Sequence, residues 1–191
     1  LTNIDSDSIS IFPIHRVVKS PEPFDRESFL KKAGKYFEVL SWSGDLSGSR
    51  IKSRLKELGE EQITFCVYMG REYAFILKVK DPKNILPLLD ENEPEDMQVL
   101  DVTQLHVILL REILRIDTRK NSGQQYVSYK VNSEEGMEMV DNGEFNLAFF
   151  MNPTLIKQVR RLAEKGLRLP QKATFFYPKL LSGLVINKFG Q

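Results

Sequence analysis

The chain has 191 residues, enough for one domain whose core needs no covalent staples. Its 27 Lys+Arg nearly cancel 26 Asp+Glu, and the net charge of +1 argues against a general nucleic-acid binder and against a membrane-surface protein. The lone Cys66 excludes an internal disulfide and fits a reducing, cytoplasmic setting, and no apolar run approaches the roughly 18 residues of a membrane span.

The start shows no charged segment followed by an apolar stretch, so no signal peptide is read there. The first residue is Leu1. Initiator methionine is normally removed only before a small residue, so the sequence reads as a piece of a longer gene product.

Residues 9–19 read as a strand that is apolar on both faces, with Pro13 predicting an edge position or a bulge. Asp25 is placed to cap a helix, with Phe24 and Phe29 packing across the cap. Residues 37–42 form a short strand candidate. Ser47 reads as the next cap, Ile51, Leu55 and Leu58 as the buried face, and Gly59 as the terminating turn. Residues 62–69 and 72–80 read as a hairpin turning at Gly70-Arg71. Cys66 lies in its first strand, where a packed, inert thiol is expected.

Residues 84–90 are a short helix interrupted by Pro87, and 91–96 are acidic and read as exposed. The strongest helix starts with Asp101 as its cap and Gln104 completing a capping box. Val102, Leu105, Leu109 and Ile113 lie on one of its faces. A polar loop over 118–124 precedes a strand over 125–131, a weaker helix over about 133–141 and a strand over 145–151. Asn152-Pro153 then opens a helix ending at Gly166, with proline at its first position. A last short strand falls at 184–187. Alternating strands and helices with one β-hairpin predict a mixed α/β or α+β sheet with helices packed on it, as one compact unit over 1–191. A division near 94–99 is the weak alternative.

The segment 169–186 packs aromatics, lysines and Pro170 and Pro178 together with no clean helical or strand period. Lys172, Tyr177 and Lys179 are the best functional candidates there. Lysine offers mobile charge to a phosphate, and tyrosine offers a donor and a stacking face. The plain alternative is that the aromatics fill the core and the lysines reach outward. His15 can be a base or a phosphate ligand beside Arg16, or a strand histidine with one nitrogen satisfied next to an ion-paired arginine. His106 reads as a hydrogen-bonded core or interface residue. Asn152 caps a helix, or the same helix end binds an anion. No glycine-rich phosphate loop, nucleophile elbow, HExxH motif or metal-ligand spacing occurs.

Four segments resemble one family. Ile14-His15-Arg16-Val17-Val18 is similar to its Thr-His-Arg-Leu-Val, and Leu100 to His106 to its Leu-Asp-Val-Thr-x-Leu-His. Phe149 to Thr154 matches an apolar run into Asn-Pro-Thr. Pro170 to Lys179 is similar to Pro-x-Lys-Ser-Thr-Tyr-Phe-Tyr-Pro-Lys, with Ala173 and Phe175 replacing hydroxyl-bearing residues. By these segments the chain resembles the C-terminal half of domain-of-unknown-function family 1015.

The resemblance implies an earlier half, similar to ParB-like and sulfiredoxin-like proteins, that carries an Asp-Gly-His-His-Arg motif absent from this sequence. It also implies a nucleotide- or phosphate-dependent small-molecule enzyme, serine-kinase-like by analogy. ATP or ADP with Mg would then serve the full-length protein, and this piece alone would be inactive. On that reading His15, Arg16, Asn152, Lys172, Tyr177 and Lys179 line one side of a cleft, and the missing half and a small-molecule substrate are the partners. The competing reading is a non-catalytic binding, scaffold or homodimerisation module.

Overall fold

A computed structural model describes residues 9–71, 73–89 and 93–179. Its centre is a six-stranded antiparallel sheet, ordered β3 (Phe37–Ser41), β5 (Ala74–Val79), β4 (Thr64–Tyr68), β7 (Leu147–Met151), β2 (His15–Val18), β6 (Val127–Lys130). The expected mixed α/β class holds. β4, β7 and β2 are buried along their whole length, which explains why their sequences are apolar at consecutive rather than alternate positions.

Helices cover both faces. On one, α1 (Arg26–Ala33) and the helix beginning at Asp101 pack on Val18, Phe65, Val67, Leu77 and Phe149. On the other, α2 (Gly48–Gly59) and the helix Ser133–Asp141 pack on Val17, Cys66, Ile76 and Phe150. Burial pushes the Cys66 thiol up to about 12, so it stays protonated within the second cluster.

The first strand breaks at Pro13. β1 (Ser10–Phe12) leaves the main sheet and pairs with β8 (Phe175–Tyr177), while β2 continues in the interior. Pro13 thus separates two strands instead of marking an edge, and the aromatic segment read as neither helix nor strand supplies β8. Asp25 caps α1 as expected, accepting from the Ser28 amide at 2.7 Å, and the Phe24 and Phe29 rings lie 6.0 Å apart. Ser47 occupies the cap position of α2 but makes no side-chain cap bond. The β4–β5 hairpin closes with the Met69 amide on the Tyr73 carbonyl at 2.8 Å, and Gly70 adopts φ 109°.

Residues 82–88 form a 3-10 helix, and α3 (Glu95–Gln98) follows. Asp96 is only 8% exposed, not part of a solvated acidic run, because Arg161 and Lys165 converge on its carboxylate. These cations hold it below the usual carboxylate range, the Lys165 hydrogen bond most strongly. The helix predicted from Asp101 runs as α4 (Asp101–Gln104) into π-helical turns over Leu105–Ile113. Leu100, not Asp101, takes the cap position and no capping box forms. The helix is buried on more than one face because α1, the 3-10 helix and the sheet surround it.

The polar loop over 118–124 contains α5 (Asn121–Gln124), where Gly123 presses on the Asp117 carbonyl. A Cβ at Gly123 would stand 2.6 Å from the Asp117 carbonyl carbon. Gly123→Ala is therefore expected to cost about 1–3 kcal/mol through a forced backbone shift, read as a lower urea midpoint at unchanged slope. A wild-type midpoint would show that the turn yields freely. α6 (Ser133–Asp141) is capped by Asn132, which accepts from the Glu134 amide at 2.8 Å. α7 (Ile156–Glu164) starts three residues after Pro153, with Leu155 at the cap position. The strand expected at 184–187 lies outside the described residues.

Candidate functional site

β2 lies between β7 and β6, and neighbouring residues on it face opposite layers. Arg16 is opposite Phe149 and Tyr129 in register and is 1% exposed. Among the described residues it has no ion-pair partner. Its Nε donates to His106 Nε2 at 3.2 Å and its Nη2 to the Lys172 carbonyl at 2.9 Å. Its Nη1 reaches the Ile14 carbonyl and, at 3.1 Å, Met151 Sδ. Hydrogen bonds to four neutral acceptors stand where the ion pair was expected. Burial lowers the guanidinium to about 10.

Because His106 Nε2 accepts from Arg16, its ring proton sits on Nδ1, which donates to Thr118 Oγ1 at 3.1 Å. Burial first, and Arg16 second, bring His106 down to about 3. The loop carrying Lys172 is fixed by these contacts. Lys172 has φ 57°, and the next carbonyl, of Ala173, accepts from Thr154 Oγ1 at 2.9 Å.

His15 faces the other layer. It is 7% exposed, and its ring meets Phe150 edge-on at 5.1 Å. The Met151 amide donates to Nδ1 at 3.4 Å. Nε2 then carries the proton, so the neutral ring is a donor on its remaining nitrogen and not a base. Burial, then Arg16, lower His15 to about 4, so the ring is neutral at pH 7.

His15 lines a cleft of about 880 Å³ between β1, the start of α2 and the start of α6. Asn152 also lines it, but its Nδ2 donates to the Leu55 carbonyl at 2.7 Å and so ties the end of α2 to β7. Gly59 leaves room for that amide. Asn152 therefore serves a different helix from the one it was expected to cap.

Arg16, Lys172, Tyr177 and Lys179 do not line this cleft. Tyr177 is 55% exposed and meets Phe12 edge-on at 5.7 Å, and Lys179 Nζ lies 4.3 Å from the Phe175 ring centre. Lys172 Nζ lies 5.8 Å from the Tyr129 ring centre. Tyr177 is on β8, one strand outward from the cleft wall formed by β1, whereas the Lys172 ammonium lies beside Tyr129, which lines the cleft.

Sequence reasoning missed Lys52, Lys130, Glu134 and Glu135, which line the cleft from α2, β6 and α6. The cap signal at Ser47 and the helix expected from about residue 133 place the two helix starts, but nothing in one sequence says that those starts meet. Among the described residues no cluster of His, Cys, Asp and Glu can hold a metal, and no helix is long and apolar enough to cross a membrane.

The family model described as "Protein of unknown function (DUF1015)" matches residues 1–103. The curated proteins gave no match. Among solved structures, a free serine kinase in complex with AMP is similar at 15% identity and TM-score 0.47, covering 92% of this chain and 56% of that one. A conserved hypothetical protein from Pyrococcus furiosus is similar at 11% identity and TM-score 0.49, covering 92% and 59%. The chain thus spans a little over half the length of the solved structures it matches.

Proposed function

We propose, starting from a chain that belongs to the DUF1015 family, that it forms the ligand-holding part of a phosphate- or nucleotide-dependent small-molecule enzyme, serine-kinase-like by the resemblance described above. One observation carries this reading. A nearly buried imidazole, neutral at pH 7, lines a cleft of about 880 Å³ that is also walled by β1, β6 and the starts of α2 and α6, and its Nε2–H is the donor left over. A neutral donor in a partly dry site stabilises charge on a ligand oxygen and loses little to solvent reorganisation.

Tyr177, on the strand paired with β1, and Lys179 after it supply a stacking face and mobile charge for the outer part of a longer ligand, and Lys172 adds charge beside Tyr129. Arg16 serves from behind, fixing β2 and adding to the positive field. The groups that complete the reaction, and ATP or ADP with Mg, belong to the longer protein, whose additional half is this chain's partner. This half alone is inactive on this reading.

The test is a thermal-shift comparison of this chain with the longer protein, with ATP, ADP and Mg²⁺ added in turn. Stabilisation of the longer protein is expected, about 2.7 kcal/mol at a nucleotide concentration 100 times Kd. Stabilisation of neither protein would overturn the reading in favour of a non-catalytic module.

A further inference from the structure

We propose that this cleft contains an oxyanion subsite, in which the His15 imidazole, the uncapped first turn of α2 and Lys52 together hold one phosphoryl or carboxylate group in place of the Glu134 carboxylate that now stands against that turn. The inference rests on the reading of the cleft as a ligand site and names the chemistry that it takes.

Every group assigned to the subsite is a donor. His15 uses Nδ1 to accept from the Met151 amide, which leaves Nε2–H, and no described residue pairs with Nε2. The ring is only 7% exposed, yet Nε2 is not among the described atoms sealed off without a partner, so this N–H is open to a ligand in the cleft that His15 lines.

α2 is 12 residues long and has no side-chain cap. The Ser47 hydroxyl that would cap it is engaged with Asp45 Oδ2 at 2.9 Å and Ser49 Oγ at 3.2 Å. The first-turn amides therefore lack a side-chain acceptor, and their partial positive charge remains. Gly48 and Ser49 of that turn line the cleft, as does Lys52 one turn on. Lys52 has no ion pair among the described residues. A cation would meet three donors here, whereas an oxyanion satisfies them all.

Glu134 is the built-in competitor. A Cβ at Gly48 would run into Ser133 Oγ and the Glu134 carboxylate, so that carboxylate stands against the start of α2. It accepts from Ser133 Oγ at 3.0 Å, while Glu135 is paired with Lys130 at 3.0 Å. Lys52 and Lys130 balance Glu134 and Glu135, so selection falls to the directed N–H groups and not to a net field. Removing the Glu134 charge should therefore strengthen anion binding, an effect that a purely structural role would not produce.

The experiment is a titration of the labelled chain with inorganic phosphate, AMP and acetate, following the histidine ring nitrogens by NMR. The chain has two histidines, so His106→Gln assigns both signals. Phosphate is expected to shift His15 Nε2 and leave His106 in place. Glu134→Gln should tighten binding about 2- to 5-fold and Lys52→Ala weaken it by a similar factor. His15→Asn, which keeps an acceptor near the Met151 amide but lacks the second nitrogen, should weaken it about tenfold or more.

AMP binding tighter than acetate assigns the site to phosphoryl groups, and the reverse order assigns it to carboxylates. Silence of His15 toward all three anions, or unchanged binding in Glu134→Gln, overturns the subsite. Nucleotide stabilisation of the longer protein with His15 silent would remove the subsite and leave the nucleotide reading standing. A His15 response without nucleotide stabilisation would do the opposite.

Discussion

Lowering the pH from 7 to 5 is expected to cost the fold about 3 kcal/mol. His15 and His106 titrate near 4 and 3 in the folded chain, against 6.5 in an unfolded one. Below pH 6.5 the unfolded chain binds protons that the folded one refuses, so stability falls as pH falls. Each ring contributes about 1.4 kcal/mol per pH unit in this window, or about 4 kcal/mol for both at pH 5.

Asp101 has the opposite sign. Burial raises it from 3.8 to about 6, so the folded carboxyl takes up its proton first and recovers about 1.4 kcal/mol by pH 5. The imidazoles win. Urea midpoints at pH 7, 6 and 5 measure the slope, and a variant with both histidines changed to Gln should flatten or reverse it. Equal stability at pH 7 and 5 in the parent chain would refute the burial of two neutral rings. An additional Asp101→Asn change should raise stability at pH 7 and remove the residual reversed slope.

Arg16→Ala is expected to cost about 3–5 kcal/mol, because it leaves a cavity in the core and removes the donors facing the Ile14 and Lys172 carbonyls. Arg16→Met keeps much of the volume and removes the charge. Its cost should stay below about 2 kcal/mol, since a buried charge without a carboxylate partner gains little over a packed apolar side chain. Both histidines should titrate at higher pH in Arg16→Met, because Arg16 is the second cause of their lowering. Equal losses in the two variants would mean that hydrogen bonds to the Lys172 loop, and not packing, make Arg16 indispensable. Unchanged histidine titration would remove Arg16 from the electrostatics of the site.

The elements whose causes are local could be read from the residues alone. Asp25 with Phe24 and Phe29 specifies a helix start through one cap bond and one ring contact, both within five residues. The buried face of α2, the β4–β5 hairpin and the doubly apolar β2 follow from periodicity, because burial on one or two faces writes its own pattern. The alternation on β2 already separated His15 from Arg16.

Tertiary structure alone decided the rest, because its causes are long-range. β1 finds β8 across more than 160 residues, which turns an aromatic run without a period into a strand. Asp101 lost its capping role when the surrounding core took the start of its helix, and Asp96 left the solvated acidic run when α7 brought two cations to it. Asn152 bonds the Leu55 carbonyl of α2 because β7 delivers it there. The cleft lies where Pro13 turns β1 away from the main sheet and the start of α2 meets the start of α6. Pair contacts of this kind leave no period, cap or spacing in either partner's neighbourhood, so the residues were legible one by one and their meeting was not.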